Sequence, residues 1–428
     1  MQCCRHRNCL NRQRCGYTGG HITIGDSPVA TSFNIFDASL KADPLPVFSE
    51  LAVKPPFIEK LFGVDSLILC RFRDVETGYS DYQRFSNVKP YIPGQESIDY
   101  FKGKTIFAFT DPPEHTKLRR NIATTVSPRA IHSLKGDIET LLESALEKLD
   151  RSRDDIEVMD NFCHPLAVDV ILGVLLGLPK QDFAIFKTLT AEICNLGALQ
   201  PGDKHPLSYD RAWDQADRYL RDVIAGKNER IDREKIIWKL VTLNREDGEL
   251  DSEELLLQIM PLCVAGISPL SSFLGSVLLM MARYPGQYQK LCEQPGLVDN
   301  AIEEILRFDP PSMFSPRYAK GDFSFEGVPV SDGMPVYLIV GAIGFDPTVY
   351  PDPEQFDISR PAPSHVVFGR GHHMCLGMHL VRLLGRLLLP RLCQRYRAID
   401  LLNPDGRVAY GGSPQARDPL ALHLRFIP

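Results

Sequence analysis

The chain has 428 residues and a formal net charge of −6 at pH 7, and 44% of its residues are hydrophobic. A chain of this length and apolar content can bury a large core, and its acidic balance gives no support for nucleic-acid binding. No Gly/Ser-rich linker, repeat or low-complexity run divides the sequence between Asp43 and Pro428. We therefore predict one large, mainly helical domain over residues 41–428.

The first forty residues differ from the rest of the chain. Their opening run, MQCCRHRNCLNRQRC, places cysteines among basic residues and has no apolar core of a signal peptide or membrane anchor. We predict a disordered Cys/Arg-rich tail over residues 1–40. Zinc binding by these cysteines with His6 and His21 is an alternative, but the spacing matches no zinc-finger pattern. The other cysteines are scattered among apolar neighbours, which favours buried free thiols and a reducing cytoplasm.

The next informative segment is DPPEHTKLRR, residues 111–120. Its proline turn is expected to open a helix. His115 and Arg119 are four residues apart, so they fall on one side of that helix. An imidazole and a guanidinium placed together in this way can hold an anion.

The longest apolar segment runs from Leu255 to Met281. Its two prolines, Pro261 and Pro269, together with Gln258 and several serines, favour a buried core helix over a membrane span. The acidic stretch REDGELDSEEL before it favours a helix start. We therefore expect a long central helix and no membrane anchor.

Two further motifs follow the central helix. AIEEILRFDPP is a helical stretch ended by prolines, in which Glu304 and Arg307 share one face. Alone, this pair would be an ordinary surface ion pair. PDPEQFDISR, which ends at Arg360, comes next, and His365 stands just ahead of the last motif.

The last motif is FGRGHHMCLG, residues 368–377. Gly369 and Gly371 allow the chain to fold tightly under a flat ligand and to present Cys375 to it. The leucines that follow have helical spacing, so Cys375 stands near a helix N-terminus, where unpaired N–H groups and the helix dipole favour a thiolate. Such a thiolate can act as a nucleophile, bind zinc or serve as the axial ligand of haem iron.

These motifs, in this order, resemble those of the cytochrome P-450 superfamily from about Asp43 to the C-terminus. The cysteine loop matches the family's haem-binding loop at its defining positions, which are Phe368, Gly369, Gly371, His373, Cys375 and Gly377. The resemblance implies a mainly α fold with a small β-rich part near residues 67–72, 316–340 and 408–426. Haem b would lie between the long central helix and the cysteine loop with the last long helix. ADPLPVFSEL, near residue 42, is similar to the family's first helix.

The resemblance also implies roles for individual residues. Cys375 would be the proximal iron ligand, within a cofactor-binding loop that includes Phe368, His373 and Gly377. Glu304 and Arg307, with Arg360, would form a buried structural network. The haem propionates would be held by His115, Arg119, Arg317 and His365, which agrees with the suitability of arginine for carboxylates.

On the distal side the sequence departs from the family pattern. Ala265-Gly266 match the place where the central helix opens to receive dioxygen, and Gly266 and Ser268 are the candidate catalytic positions. The family usually continues with an acid and a threonine that relay protons, whereas this chain has Ser268 and Pro269. Proline has neither a hydroxyl nor an N–H group and would break the helix locally. We expect protons to come from Ser268 or Ser271 with ordered water, from the substrate, or from peroxide.

Three smaller departures are present. Gly344-Phe345 replaces the family's usual asparagine-arginine before Asp346, and Leu384 replaces a common acidic residue in the last long helix. Pro390 should kink or end that helix early.

The resemblance implies a monooxygenase that activates dioxygen with electrons supplied by a ferredoxin and its NAD(P)H-dependent reductase. We expect the ferredoxin to dock near Arg370, Arg382 and Arg386. The segments that match the family's substrate pocket are mostly apolar, so the expected substrate is a hydrophobic small molecule, with a carboxylated terpenoid of specialised metabolism preferred. We expect a cytoplasmic enzyme.

Three alternatives remain at this point. A peroxide-driven or bond-coupling haem-thiolate oxidase would not need the missing threonine. A non-catalytic haem sensor would keep the haem-binding residues and lose the proton relay. A zinc protein would use the histidines and the cysteine of the loop region, namely His372, His373, Cys375 and His379.

Overall fold

The computed structural model describes most of the chain beyond its N-terminal tail. The described residues are 38–61, 63–89, 100–152, 154–197, 199, 203–361, 365–403, 406–411 and 415–428. The tail predicted over residues 1–40 lies outside them, apart from residues 38–40.

Helices dominate the described residues. They are α1 Ala38–Ala42, α2 Leu45–Leu51, α3 Phe72–Ser80, α4 Glu114–Thr125, α5 Pro128–Ser133, α6 Lys135–Arg151, α7 His164–Val168, α8 Phe183–Gly197, α9 Leu207–Ile224, α10 Ile236–Asp247, α11 Ser252–Val264, α12 Ile267–Arg283, α13 Pro285–Glu293, α14 Val298–Phe308, α15 Val340–Ile343 and α16 Met378–Arg395. Wider π-helical turns flank α7 at Met159–Cys163 and Asp169–Leu175. The predicted first helix is α2, which begins directly after Pro44.

The strands are short. They are β1 Phe57–Leu61, β2 Val64–Leu69, β3 Phe85–Ser86, β4 Ile156–Glu157, β5 Ser315–Ala319, β6 Phe323–Phe325, β7 Val328–Val330, β8 Pro335–Leu338, β9 Ala398–Leu401, β10 Tyr410–Gly411, β11 Asp418–Pro419 and β12 His423–Ile427. The main sheet has the order β1-β2-β8-β5-β3, and a second sheet has the order β4-β12-β9. Two hairpins, β6-β7 and β10-β11, complete the β part.

The strand predictions were incomplete. Each of the three predicted regions contains strands, but β1, β3, β4 and β9 lie outside them. Two of the missed strands, β3 and β4, have only two residues each, too few for an alternating pattern to be read from the sequence. All four lie at the edge of a sheet.

The central helix consists of α11 and α12, which are separated at Ala265–Gly266. Asp251 and Glu254 form a capping box at the start of α11, as the acidic stretch predicted. The segment Ser252–Arg283 is long and apolar enough to cross a membrane, but most of it is buried inside the protein. The helix is apolar on all sides because core surrounds it, in agreement with the predicted core helix.

The interruption of the central helix follows from Pro269. Proline has no N–H group to donate to the carbonyl of Ala265 one turn earlier, and Ala265–Gly266 are not helical. Ala265 and Pro269 are both exposed, although neighbouring residues such as Val264 and Leu270 are buried. The helix therefore opens onto a cleft at the predicted position.

The prediction that Pro390 ends the last helix was wrong. Helix α16 runs from Met378 to Arg395 with Pro390 inside it. Leu384, Leu388 and Leu392 are fully buried along this helix. Packing of this apolar face stabilises the helix by more than the loss of one backbone hydrogen bond costs. The same burial explains an apolar residue at position 384.

The Glu304–Arg307 ion pair is completely buried. Arg307 Nε and Nη2 donate to the two oxygens of Glu304 over 2.7 and 2.8 Å, and Arg360 Nε lies 3.4 Å from Glu304. Arg307 also donates to the carbonyls of Gly344 and Pro353. The structure thus brings the three predicted network residues together and ties them to two loops.

This network also accounts for Gly344-Phe345. A Cβ atom at position 344 would overlap the carbonyl oxygen of Arg307, so only glycine fits there. Phe345 packs against Phe308, with 5.5 Å between ring centroids, and against Phe48, with 6.4 Å. An apolar ring at position 345 therefore extends the aromatic core.

We predict that Glu304→Gln lowers the free energy of unfolding by about 3–5 kcal/mol, because it leaves the Arg307 charge buried without its anion. Chemical denaturation followed by circular dichroism measures this loss. The matched control is Asp299→Asn, which breaks the exposed Asp299–Arg386 pair and should cost less than about 1 kcal/mol. Equal losses in the two variants would contradict the structural role of the network.

Candidate cofactor site

The site is built around the loop that carries Cys375. Gly369 and Gly371 have φ angles of 73° and 70°, a left-handed backbone region that favours glycine. The backbone N–H of Cys375 donates to the carbonyl of Phe368 over 2.7 Å and closes the loop. Helix α16 begins three residues later, at Met378. Cys375 thus lies just ahead of a helix N-terminus, as the sequence predicts.

Cys375 is the exposed cysteine among those that the structure describes. Protein nevertheless surrounds it, so its side chain opens onto an internal cleft. Burial raises the pKa of the Cys375 thiol, although the N–H groups of Gly377 and Met378 and the charges of Arg119 and Arg382 act in the opposite direction. The predicted lowering of this pKa was therefore wrong for the protein alone, because desolvation outweighs the helix terminus. Coordination to a metal ion deprotonates a thiol even when burial raises the pKa of the free thiol.

Four basic side chains, which we term the cation cluster, surround this loop: His115, Arg119, Arg317 and His373. The rings of His115 and His373 lie 4.1 Å apart. Arg119 donates to the carbonyl of Met374 in the cysteine loop. Arg317 stacks over Tyr79 at 5.0 Å and donates to the carbonyl of Pro316.

The cation cluster lacks an anion of its own. Both ring nitrogens of His115 and Nε2 of His373 are buried without a hydrogen-bond partner. No carboxylate of the described residues lies within ion-pair distance of Arg119 or Arg317. Burial and the charge of Arg119 lower the pKa of His115 to about 4, and burial with His115 and Arg317 lowers the pKa of His373 to about 3. The positive charge of the cluster therefore lies on Arg119 and Arg317. Unpartnered buried donors point to a bound anion, and the two propionates of haem b fit beside a cysteine that faces the same cleft.

His365, which was predicted to hold a propionate, lies beside a carboxylate of α14, and its contact with a propionate stays a prediction. Its Nε2 lies 2.8 Å from Oε2 of Glu303, and Arg382 Nε binds the same carboxylate over 2.6 Å. Burial raises the pKa of Glu303, but the contacts with Arg382 and His365 outweigh it and hold the pKa at about 2. His365 therefore links α14 to the start of the cysteine loop instead of joining the cation cluster. Sequence reasoning missed Glu303, although it directly precedes Glu304.

Two other predicted loop residues lie against the cysteine and its helix. Phe368 packs under the Arg382 guanidinium, which lies 4.8 Å from the ring centroid. A Cβ atom at Gly377 would lie 3.7 Å from the sulfur of Cys375, an ordinary van der Waals contact. The zinc hypothesis for the loop region has no support, since no group of three or more potential ligands occurs among the described residues. The zinc alternative for the N-terminal cysteines lies outside the described residues.

On the opposite side, the opening of the central helix holds Gly266 and Ser268. A Cβ atom at Gly266 would come within 2.9 Å of the end of the Ile171 side chain, so a larger residue there would displace that side chain. The Ser268 hydroxyl donates to Oδ2 of Asp418 over 2.7 Å. Asp418 lies 150 residues further along the chain, and no sequence motif pointed to it.

The three arginines predicted to attract a ferredoxin are all paired. Arg370 binds Glu76, Arg382 binds Glu303 and Arg386 binds Asp299. The surface around them is therefore charge-balanced instead of strongly basic. The Arg386–Asp299 pair is the most exposed of the three, with side-chain exposures of 51% and 63%.

Comparisons with known proteins agree with this geometry. The family model "Cytochrome P450" matches residues 27–403. The polyketide biosynthesis cytochrome P450 PksS of Bacillus subtilis is 30% identical over 72% of this chain and 73% of its own length. Its solved structure gives a TM-score of 0.81, at 25% identity, over 92% of this chain and all of that one.

Two other proteins are similar. The vitamin D(3) 25-hydroxylase of Pseudonocardia autotrophica is 29% identical over 84% of this chain and 88% of its own length. The solved structure of CxnD, an enzyme for C–S bond formation in chuangxinmycin biosynthesis, gives a TM-score of 0.79 at 25% identity, over 90% of this chain and 95% of that one.

We predict that Cys375→Ala and Cys375→His abolish the strongly red-shifted absorbance that a sulfur-ligated haem shows when reduced and exposed to carbon monoxide. Difference spectroscopy of the purified protein measures it. Cys194→Ala, at a half-buried cysteine, is the control and should keep the full signal. Survival of the signal in Cys375→Ala would remove Cys375 as the iron ligand.

Proposed function

The chain belongs to the cytochrome P-450 family, and from that premise we propose that it oxygenates a hydrophobic small molecule, preferably a carboxylated terpenoid, in specialised metabolism. As a member of the family it is a haem b monooxygenase. The observation that carries the proposal is the accessible Cys375 beside a cation cluster whose buried nitrogens lack an anion. We place this activity in a single haem domain over residues 41–428.

Bound haem supplies the reductive activation of dioxygen and the attack on a C–H bond. The chain's residues would hold and orient it. Cys375 would bind the iron through its sulfur, towards which the N–H groups of Gly377 and Met378 are directed. Arg119 and Arg317 would hold the propionate carboxylates, for which guanidinium groups are well suited. On the distal side, Gly266 leaves room for the Ile171 side chain.

The proposed substrate class is supported by the apolar character of the segments that match the family's substrate pocket. Met313 and Phe314, ahead of β5, are buried, and the central helix presents Ala265 and Pro269 to the cleft. A relative named for hydroxylation of vitamin D(3) is consistent with a lipophilic ligand. A carboxylate on the substrate would add a proton donor where the family's threonine is missing.

A peroxide-driven or bond-coupling oxidase is the second candidate. Pro269, which cannot relay protons, favours it, and so does the similarity to an enzyme named for C–S bond formation. A bond-coupling reaction places no oxygen atom in its product, which separates it from a monooxygenase.

We predict that turnover with ferredoxin, its reductase, NADPH and ¹⁸O-labelled dioxygen gives product with one labelled oxygen atom. Abietic acid represents the terpenoid acids, with myristic acid and testosterone as comparison probes, and mass spectrometry measures the label. Abietic acid should show the highest product yield. Product without the label would favour bond coupling, preference for another probe would overturn the terpenoid class, and reduction without any product would favour a haem sensor.

We propose that the electron donor is a ferredoxin-type protein served by an NAD(P)H-dependent reductase in the cytoplasm. All three predicted docking arginines are paired with carboxylates. Arg386 belongs to the most exposed of the three pairs, so it is the best candidate for attracting an acidic partner. Its attraction should be partial, since Asp299 balances its charge.

We predict that Arg386→Glu slows reduction of the haem by ferredoxin several-fold at low ionic strength, and that the effect disappears as salt is added. Stopped-flow absorbance measures the rate. Arg233→Glu is the control, since Arg233 lies over Trp238 on a different surface element. Equal rates for all three proteins at low salt would refute docking at Arg386.

A further inference from the structure

A carboxylate stands beside the opening of the central helix. Asp418, in β11, accepts a hydrogen bond from the Ser268 hydroxyl over 2.7 Å through Oδ2, and Ser272 donates to its Oδ1. Ser268 and Ser272 are one turn apart, so they lie on the same side of α12. Both oxygens of one carboxylate are thus joined to the first turns of this helix.

Ser268 lies at the place in the sequence where the family usually has the acid of its proton relay. Ser268 directly precedes Pro269, which cannot carry a proton, and follows the non-helical Ala265–Gly266. Ala265 and Pro269, three residues before and one residue after Ser268, are exposed, and Ser268 itself is half-buried. Its hydroxyl therefore binds Asp418 from the turn at which the central helix opens.

Other ionisable groups lie near Asp418. Burial lowers the pKa of Lys41 in α1 and of His164 in α7, and the charge of Asp418 opposes this lowering. Burial raises the pKa of the Cys194 thiol in α8, and Asp418 adds to this effect. His164 is half-buried and Asp418 is not fully buried. The carboxylate is thus near ionisable groups from three helices.

We propose that Asp418 is a positioning residue that supplies protons to the Ser268 hydroxyl, so that the acid and the alcohol of the proton relay come from two separate elements. The acid is on the C-terminal strand β11, and the alcohol is on the central helix. This inference rests on the proposed monooxygenase function.

The proton transfer balances without any change of oxidation state. Ser268 releases its hydroxyl proton towards the cleft and takes one from the carboxylic acid form of Asp418. Asp418 then regains a proton from solvent. A hydroxyl can donate and accept in this way because it carries one O–H group and two lone pairs. The Ser272 hydroxyl lies within hydrogen-bond distance of the Ser268 carbonyl, at 2.9 Å, and of Asp418, and it can donate its one proton to either.

The first test needs no turnover. Infrared difference spectra of the ferric protein and Asp418→Asn identify the Asp418 carboxylate band. Ser268→Ala should shift that band, since it removes a hydrogen-bond donor, whereas Ser268→Thr should leave it in place. An unshifted band in Ser268→Ala would show that the Ser268–Asp418 contact is absent in solution and would overturn the proposal.

The second test measures proton delivery without an organic substrate. With ferredoxin, reductase and NADPH, the holoenzyme reduces dioxygen to hydrogen peroxide, which consumes two electrons and two protons. Asp418→Asn and Ser268→Ala should each slow this reaction by roughly 10-fold or more, and Asp418→Glu and Ser268→Thr should restore much of the rate. The rate of haem reduction under carbon monoxide should stay at the wild-type value in all four.

The control is Asp346→Asn. Asp346 also accepts from a hydroxyl, that of Thr348 over 2.6 Å, but it caps a loop near Phe72. Asp346→Asn should lower the melting temperature of the protein without changing the rate of peroxide formation per haem. If Asp418→Asn behaves like this control, its role is structural and the proposal fails. If the wild-type protein reduces no dioxygen, the proposed function fails, and the infrared band alone decides the Ser268–Asp418 link.

Discussion

The ion pair between Glu304 and Arg307 is the interaction on which the proximal half of the protein depends. Arg307 donates hydrogen bonds to the carbonyls of Gly344 and Pro353, so two loops contact one buried charge. The adjacent Glu303 points to the other side and binds His365 and Arg382, which lie before the cysteine loop and in α16. Two consecutive carboxylates of α14 thus fix the loop that carries the cysteine and the segments behind it. Because an uncompensated buried charge is costly, the network tolerates little displacement.

The cation cluster shows the opposite situation. His115 and Arg317 are buried without an anion among the described residues, and this arrangement is unfavourable until a ligand arrives. The haem propionates would therefore balance the buried positive charge of the cation cluster, in addition to the chemistry that the haem supplies. Binding of haem would stabilise the folded state through linkage.

Features that depend on neighbouring residues could be predicted from the sequence. The glycine-rich turn before Cys375, the interruption near Pro269 and the pairing of Glu304 with Arg307 all follow from short spacings. Features that depend on distant contacts were missed or wrong. Glu303 engages His365, partners neutralise the proximal arginines, and core packing carries α16 through Pro390. Asp418 contacts Ser268 only because a C-terminal hairpin packs on the central helix, and no local pattern in the sequence indicates that contact.

Contacts of Arg417 hold the β10-β11 hairpin in place. Next to Asp418, the Arg417 side chain is buried, pairs with Asp309 and donates to the carbonyl of Lys41 over 2.8 Å. Gly411, in the partner strand β10, belongs to a segment that resembles part of the family's ligand pocket. One short hairpin would then serve both ligand shape and proton supply. Changing β10 to admit a new molecule would alter coupling efficiency at the same time, so selectivity and efficiency would have to be engineered jointly.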